Sequence, residues 1–124
     1  MLMAGENPAQ SVALVGSAGK LFGVQLNDGY QRIGAEDGLI FGSVHPLMAR
    51  EFVYWLRRSY FQGHVYFDTF PRNEDPVREC EMNIRQVKRF YDLAADLEAE
   101  GLLPLLVAHD ALAALEKLER KGEL

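Results

Sequence analysis

Two short apolar runs, "LFGVQL" at 21–26 and "HVYFDTFP" at 64–71, constrain this chain more than any other feature. They are the only strand-like segments in a sequence otherwise read as helix and loop. Helical spacing precedes each of them, so helix and strand alternate. Both runs read as apolar on both faces, the pattern of strands in a parallel sheet covered by helices. The fold class expected is therefore α/β. Two parallel strands leave two open edges and too little sheet to bury both faces. The expectation is that a second copy or further strands of a larger barrel complete the sheet.

Helix punctuation sets the element order. In "GENPAQSVALVGSAGK", Asn7 stands as N-cap, Pro8 as first helical residue and Gly19 as stop. This gives a helix over 8–18 whose apolar face includes Val12, Val15 and Ala18. No strand precedes that signal, as if a longer chain led into it. Residues 27–43 hold four glycines and no sustained periodicity, which marks a long functional or disordered loop. The spacing of Met48, Phe52, Trp55 and Leu56 predicts a helix over 45–60, broken by Gly63 before a strand over 64–70.

Asp75 and Pro76 then open a long helix ended by Gly101. Its apolar stripe is Val77, Cys80, Ile84, Val87, Tyr91, Ala94 and Leu97. A last helix over 104–121 presents Leu105, Leu112, Leu115 and Leu118. Residues 1–101 thus form the α/β part and 102–124 a helical extension.

Composition narrows the function classes. The 124 residues are 48% hydrophobic and 10% aromatic, enough for one packed core. The net charge of −5, from 13 Lys and Arg against 18 Asp and Glu, offers no basic stripe for phosphates, so nucleic acid is not an expected partner. No stretch approaches the ~20 apolar residues that span a bilayer, and no membrane partner is expected. "MLMAGENPAQ" lacks the basic and apolar regions of a secretory signal, so a reducing, cytoplasmic location is expected. The one cysteine, Cys80, excludes an internal disulfide and reads as a buried thiol.

Chemistry is expected at the C-terminal ends of the strands, where parallel barrels place their sites. Asp68 lies at the end of the second run, and an unpaired carboxylate there must be paired, metal-bound or at an exposed strand end. Gln25, Asn27 and Asp28 hold the corresponding end of the first run, and the loop adds Glu36 and Asp37. Carboxylates and amides on one rim suit a hard divalent cation such as Mg²⁺ or Mn²⁺, or a sugar. Asp28 also reads as a simple turn-former.

His45, just before Pro46, serves either as substrate contact or as helix cap. His64 lies at the far end of its strand and reads as a surface or structural residue, and His109 faces solvent on the last helix. Tyr30, Trp55 and Tyr66 are able to stack on a sugar, although Trp55 and Tyr66 read more simply as core. No nucleophile elbow, phosphate-binding glycine signature or close Cys/His cluster is present.

The stretches "AGKLFGVQLNDG", "DGLIFGSVHP" and "GHVYFDTFPRNEDP", in this order, resemble the last strands of the xylose isomerase-like TIM barrels. That family includes xylose and rhamnose isomerases and related sugar isomerases. The resemblance runs from "MAGENPAQSVAL" to about residue 98. It implies that the chain is the C-terminal portion of a (β/α)₈ barrel, from the helix after the sixth strand through the eighth helix. The final helix would be an extension packing between subunits of a homo-oligomer.

The family interconverts aldoses and ketoses with two divalent cations, by hydride shift or through an enediol. By this resemblance Asp68 corresponds to a metal-binding aspartate of the eighth strand. Asn27 corresponds to an asparagine just past a ligand position, and Gln25 replaces the aspartate or histidine expected at that position. An Asp-x-Asp pair is represented by Glu36 and Gly38, with Asp37 between them. Asp68, Asp37, Glu36 and Gln25 are thus the implied Mn²⁺ or Mg²⁺ ligands, and Asn27, Asp28 and His45 the candidate contacts of a small sugar. The catalytic histidine and bridging glutamate of the early strands have no counterpart, so the chain alone is expected to be inactive.

Overall fold

The computed structural model describes Met1 and residues 4–124. Leu2 and Met3, the latter the first residue of the span over which the family resemblance runs, lie outside the described residues. The elements are α1 (Pro8–Ser17), β1 (Gly23–Leu26), α2 (Pro46–Arg58), β2 (His64–Phe67), α3 (Pro76–Ala99), α4 (Leu102–Val107) and α5 (Ala111–Arg120). This is a mixed helix/strand fold of α/β type, with one parallel two-stranded sheet flanked by helices.

The helix starts follow the sequence signals. The Asn7 side chain accepts from the Ala9 amide, and the Asp75 carboxylate accepts from Val77 and Arg78, which satisfies amides that a first helical turn leaves unpaired. Both strands are shorter than expected, four residues each, and pair from Gly23–His64 to Leu26–Phe67. Gly63 is required where β2 begins. A Cβ there would stand 2.2 Å from the Phe22 carbonyl oxygen, so only glycine lets the chain pass close enough to pair.

The sheet corrects one expectation. Its strands are not apolar on both faces. With a side-chain period of two, Val24, Leu26, Val65 and Phe67 share one face, and Gln25, Asn27, His64, Tyr66 and Asp68 share the other. Leu26 is buried in the core, with Val24 and Phe67 packed against it. The second face is polar and open, and Tyr66 is 52% exposed rather than a core residue.

The main core joins Ala9 and Val12 of α1, Leu26 of β1, Phe41 of the loop, Ala49, Phe52, Val53 and Leu56 of α2, and Phe90 of α3. Phe41 meets Phe52 and Phe90 edge-on, with ring centroids 6.1 and 6.2 Å apart. Each fully buried side chain of this kind contributes on the order of 1.5–3 kcal/mol. A second cluster gathers Tyr54, Leu93, Ala94, Leu97, Leu102 and Ala114, and fastens α4 and α5 to the outer part of α3.

Three further expectations are revised. The helix expected over 104–121 is two helices. His109 adopts φ 56°, and the Asp110 carboxylate then caps α5 by accepting from Ala113. The inward side of α3 carries Glu79, Asn83, Phe90, Leu93, Ala94 and Leu97, while Val77, Ile84 and Tyr91 of the apolar stripe face outward. Cys80 goes with them and is exposed, not buried. The physical reason is polar: Asn83 turns inward because it holds a loop amide, and the helix rotates with it. Among the described residues no helix is long and apolar enough to cross a membrane.

Candidate functional site

Beside the open edge of β1 lies a cleft of about 540 Å³, bounded by α1, the start of α2 and the loop 27–45. Gln25, Asn27, Asp28, Glu36, Asp37, His45 and Asp68 all line it. Parallel pairing explains this grouping, because it brings both C-terminal strand ends to one rim.

Asp68 follows β2. Its amide donates to the Leu26 carbonyl at 3.0 Å, continuing the ladder one residue past the strand. Its own carbonyl accepts from the Asn27 side-chain amide at 2.8 Å. Among the described residues, no donor meets the Asp68 carboxylate, so it stays available to the cleft. Asn27 is thereby a clamp between the strand ends.

Asp28 is not a mere turn-former. It is 4% exposed, and both carboxylate oxygens are engaged. Oδ2 accepts the Val44 and His45 amides, each at 2.8 Å, while Oδ1 accepts the Gly29 amide at 2.9 Å and stands 2.8 Å from His45 Nδ1. An antiparallel bridge to Leu39 pins its backbone. The His45 side chain makes no capping hydrogen bond at α2. Asp28 gathers the amides just ahead of that helix instead.

Asp37 is held inside the loop. It accepts the Tyr30 amide at 2.8 Å and pairs with Arg32 at 2.6 Å. Gly38 beside it adopts φ 61°, and a Cβ there would lie 2.3 Å from the Phe70 ring. Only glycine therefore lets the loop dock on the segment after β2, where the Phe70 amide donates to the Gly38 carbonyl at 2.8 Å. Glu36 and Gln25 are exposed on the same rim, as is the ring of Tyr30.

Sequence reasoning missed the anchor behind this loop. Fully buried Asn83 accepts the Phe41 amide at 2.9 Å and donates to the Glu79 carboxylate at 2.6 Å. Its only sequence signal is a polar pair four residues apart on a helix, the spacing that puts both on one face. Placement of Tyr66 and His64 on the sheet face shared with Asp68 was missed as well. His64 nevertheless stands at the strand end away from the rim.

The donor set is a poor fit for a metal centre. Among the described residues, no group of three or more His, Cys, Asp and Glu side chains stands together to hold a metal ion. Asp28 and Asp37 are bound to His45 and Arg32, which leaves Asp68 and Glu36 as carboxylates without partners among the described residues. What the cleft does offer is a surplus of acceptors, the neutral amide of Gln25 and an exposed aromatic ring at its rim. Compared with protein-family models and with curated proteins, the chain finds no match.

Proposed function

We propose that this chain provides the last two βα units of a sugar-isomerising (β/α)₈ barrel of the xylose isomerase-like kind, and that its cleft is one wall of the sugar site. The observation carrying this reading is the meeting of both C-terminal strand ends, Gln25–Asp28 and Asp68, on one rim with the acidic loop folded over them. The polar residues gathered at the C-terminal ends of both strands suit the active-site rim of a barrel, and the two free strand edges suit neighbouring strands.

In this reading the chain's own residues bind and orient. Asp68 and Glu36 accept hydrogen bonds from sugar hydroxyls, and the Gln25 amide both donates and accepts. The Tyr30 ring covers an apolar sugar face. The Mn²⁺ or Mg²⁺ implied by the family resemblance does not fit the residues of this chain alone, and no step is assigned to it. A reducing, cytoplasmic setting suits the unpaired Cys80.

The test is a titration of the full chain with D-xylose, followed by amide NMR. Shifts confined to Gln25–Tyr30, the segment 36–38 and Asp68, weakened in Asp68→Asn, are the expected result. Uniform or absent shifts would sink the sugar reading. In thermal unfolding, Mn²⁺ and Mg²⁺ are expected to leave the chain's midpoint unchanged. A rise that disappears in Asp68→Asn would show instead that the chain holds a metal unaided.

A second reading, self-association into a non-catalytic homo-oligomer, is favoured by the open strand edges and by the outward-facing Val77, Ile84, Leu112 and Leu115. Sedimentation equilibrium separates the two. A monomeric mass at micromolar concentration with cooperative unfolding would rule out the assembly.

A further inference from the structure

The pairing of Asp28 with His45 has a chemical consequence that its structural role does not use. Asp28 already receives three backbone amides, so its carboxylate has only acceptor positions to offer. The hydrogen in the 2.8 Å contact with His45 Nδ1 therefore belongs to the imidazole. In the neutral ring this leaves Nε2 with its lone pair exposed. Among the described residues nothing hydrogen-bonds Nε2. The His45 side chain is 21% exposed and lines the cleft.

We propose that Asp28 and His45 form a fixed carboxylate–imidazole pair whose Nε2 accepts a hydroxyl hydrogen from a neutral, polyhydroxylated ligand. Asp28 is the positioning residue, holding the ring by Nδ1 and the backbone by two amides. His45 is the ligand contact. The class of ligand follows from the surroundings. Asp68 and Glu36 face the same cleft as acceptors, so with Nε2 the wall is rich in lone pairs and negative charge. Such a wall favours a ligand dense in O–H groups and repels anions. The ligand half of the proposal rests on the sugar reading above, whereas the pair rests on its own geometry.

The experiment reads the tautomer of the neutral imidazole in the full chain by long-range ¹H–¹⁵N NMR. His45 is expected in the Nδ1–H form, distinct from exposed His64 and His109. Asp28→Asn is expected to move it toward Nε2–H, because an asparagine amide can donate to Nδ1. A wild-type Nε2–H tautomer, or no change in Asp28→Asn, overturns the pair.

Xylitol, a neutral open-chain polyol, is the ligand probe. It is expected to move the His45 Nε2 resonance, and His45→Gln is expected to weaken xylitol binding roughly tenfold, the worth of one good hydrogen bond. The wild-type tautomer and the His45→Gln arm need no buried substitution. If xylitol shifts other cleft amides while Nε2 stays still, His45 is not the contact, and the sugar reading survives. If xylitol shifts nothing, the sugar reading and the ligand half of this proposal fall together.

Discussion

The side-chain amide of Asn27, one residue past β1, donates to the backbone carbonyl of Asp68, one residue past β2, at 2.8 Å. It ties the two strand ends together where the ladder stops, and so sets the spacing between the rim positions of the cleft. Asn27→Ala removes one exposed hydrogen bond and is expected to cost about 1 kcal/mol. The sharper readout is local: hydrogen exchange of the Asp68 amide, bonded to Leu26, should accelerate more than exchange in α2. Equal protection in both proteins would deny Asn27 this clamping role.

Asn83 is expected to be far more costly to remove. Replacing it with alanine leaves the buried Phe41 amide and the Glu79 carboxylate without their partner. The expected destabilisation is about 3 kcal/mol, from the lost packing and the desolvated groups together. Urea unfolding measures it, and a loss below that of Asn27→Ala would contradict the anchoring role.

Tyr54 presents the opposite case. Its hydroxyl is buried with no hydrogen-bond partner among the described residues, and burial pushes the phenol above its ordinary value, with Glu98 adding and the Arg58 and Arg57 guanidiniums opposing. The folded state therefore holds this proton more tightly than the unfolded state does. The associated stability is present below the ordinary phenol pKa of about 10 and is lost as pH rises above it. Tyr54→Phe should be neutral or slightly stabilising near neutrality and should lose less stability in alkali, as followed by thermal unfolding across that range. A marked loss at neutral pH would mean that the hydroxyl is satisfied in solution.

Lys121 links the end of α5 to the end of α3, its ammonium 2.7 Å from Glu100 and 3.7 Å from Asp96. The hydrogen bond from Lys121 holds Glu100 below the usual glutamate range, and the same bond raises Lys121. The Glu100 share of stability is present above its ordinary pKa and lost as pH falls through the lowered one. The Lys121 share is present below its ordinary pKa and lost as pH rises through the raised one. Lys121→Met should flatten both limbs of the profile of thermal midpoint against pH. Both carboxylates are exposed, so added salt should shrink the difference between the two proteins. A difference indifferent to salt would point to packing instead.

Much of the fold was legible because its borders are written in local chemistry. Asn7, Asp75 and the prolines after them cap their helices within two or three residues of themselves, and Gly63 marks a close approach. The site was legible as a set because strand ends gather residues in any parallel sheet. What stayed hidden depends on partners distant in sequence. Asp28 looked like a turn residue because its ligands, Val44 and His45, lie sixteen and seventeen positions away. The stripe from Val77 to Tyr91 established that α3 has two sides, yet periodicity alone does not say which side is inward. Asn83 and Glu79 decide it. The break at His109 escaped notice because leucines keep helical spacing on both sides of it.

That rotation of α3 leaves the molecule's one thiol on its outer surface, beside Val77 and Ile84 on the same flank. Cys80 is thus a built-in proximity reporter that needs no engineered label site. Its alkylation half-life, compared between dilute and concentrated protein, records whether anything comes to rest against this flank of the helix.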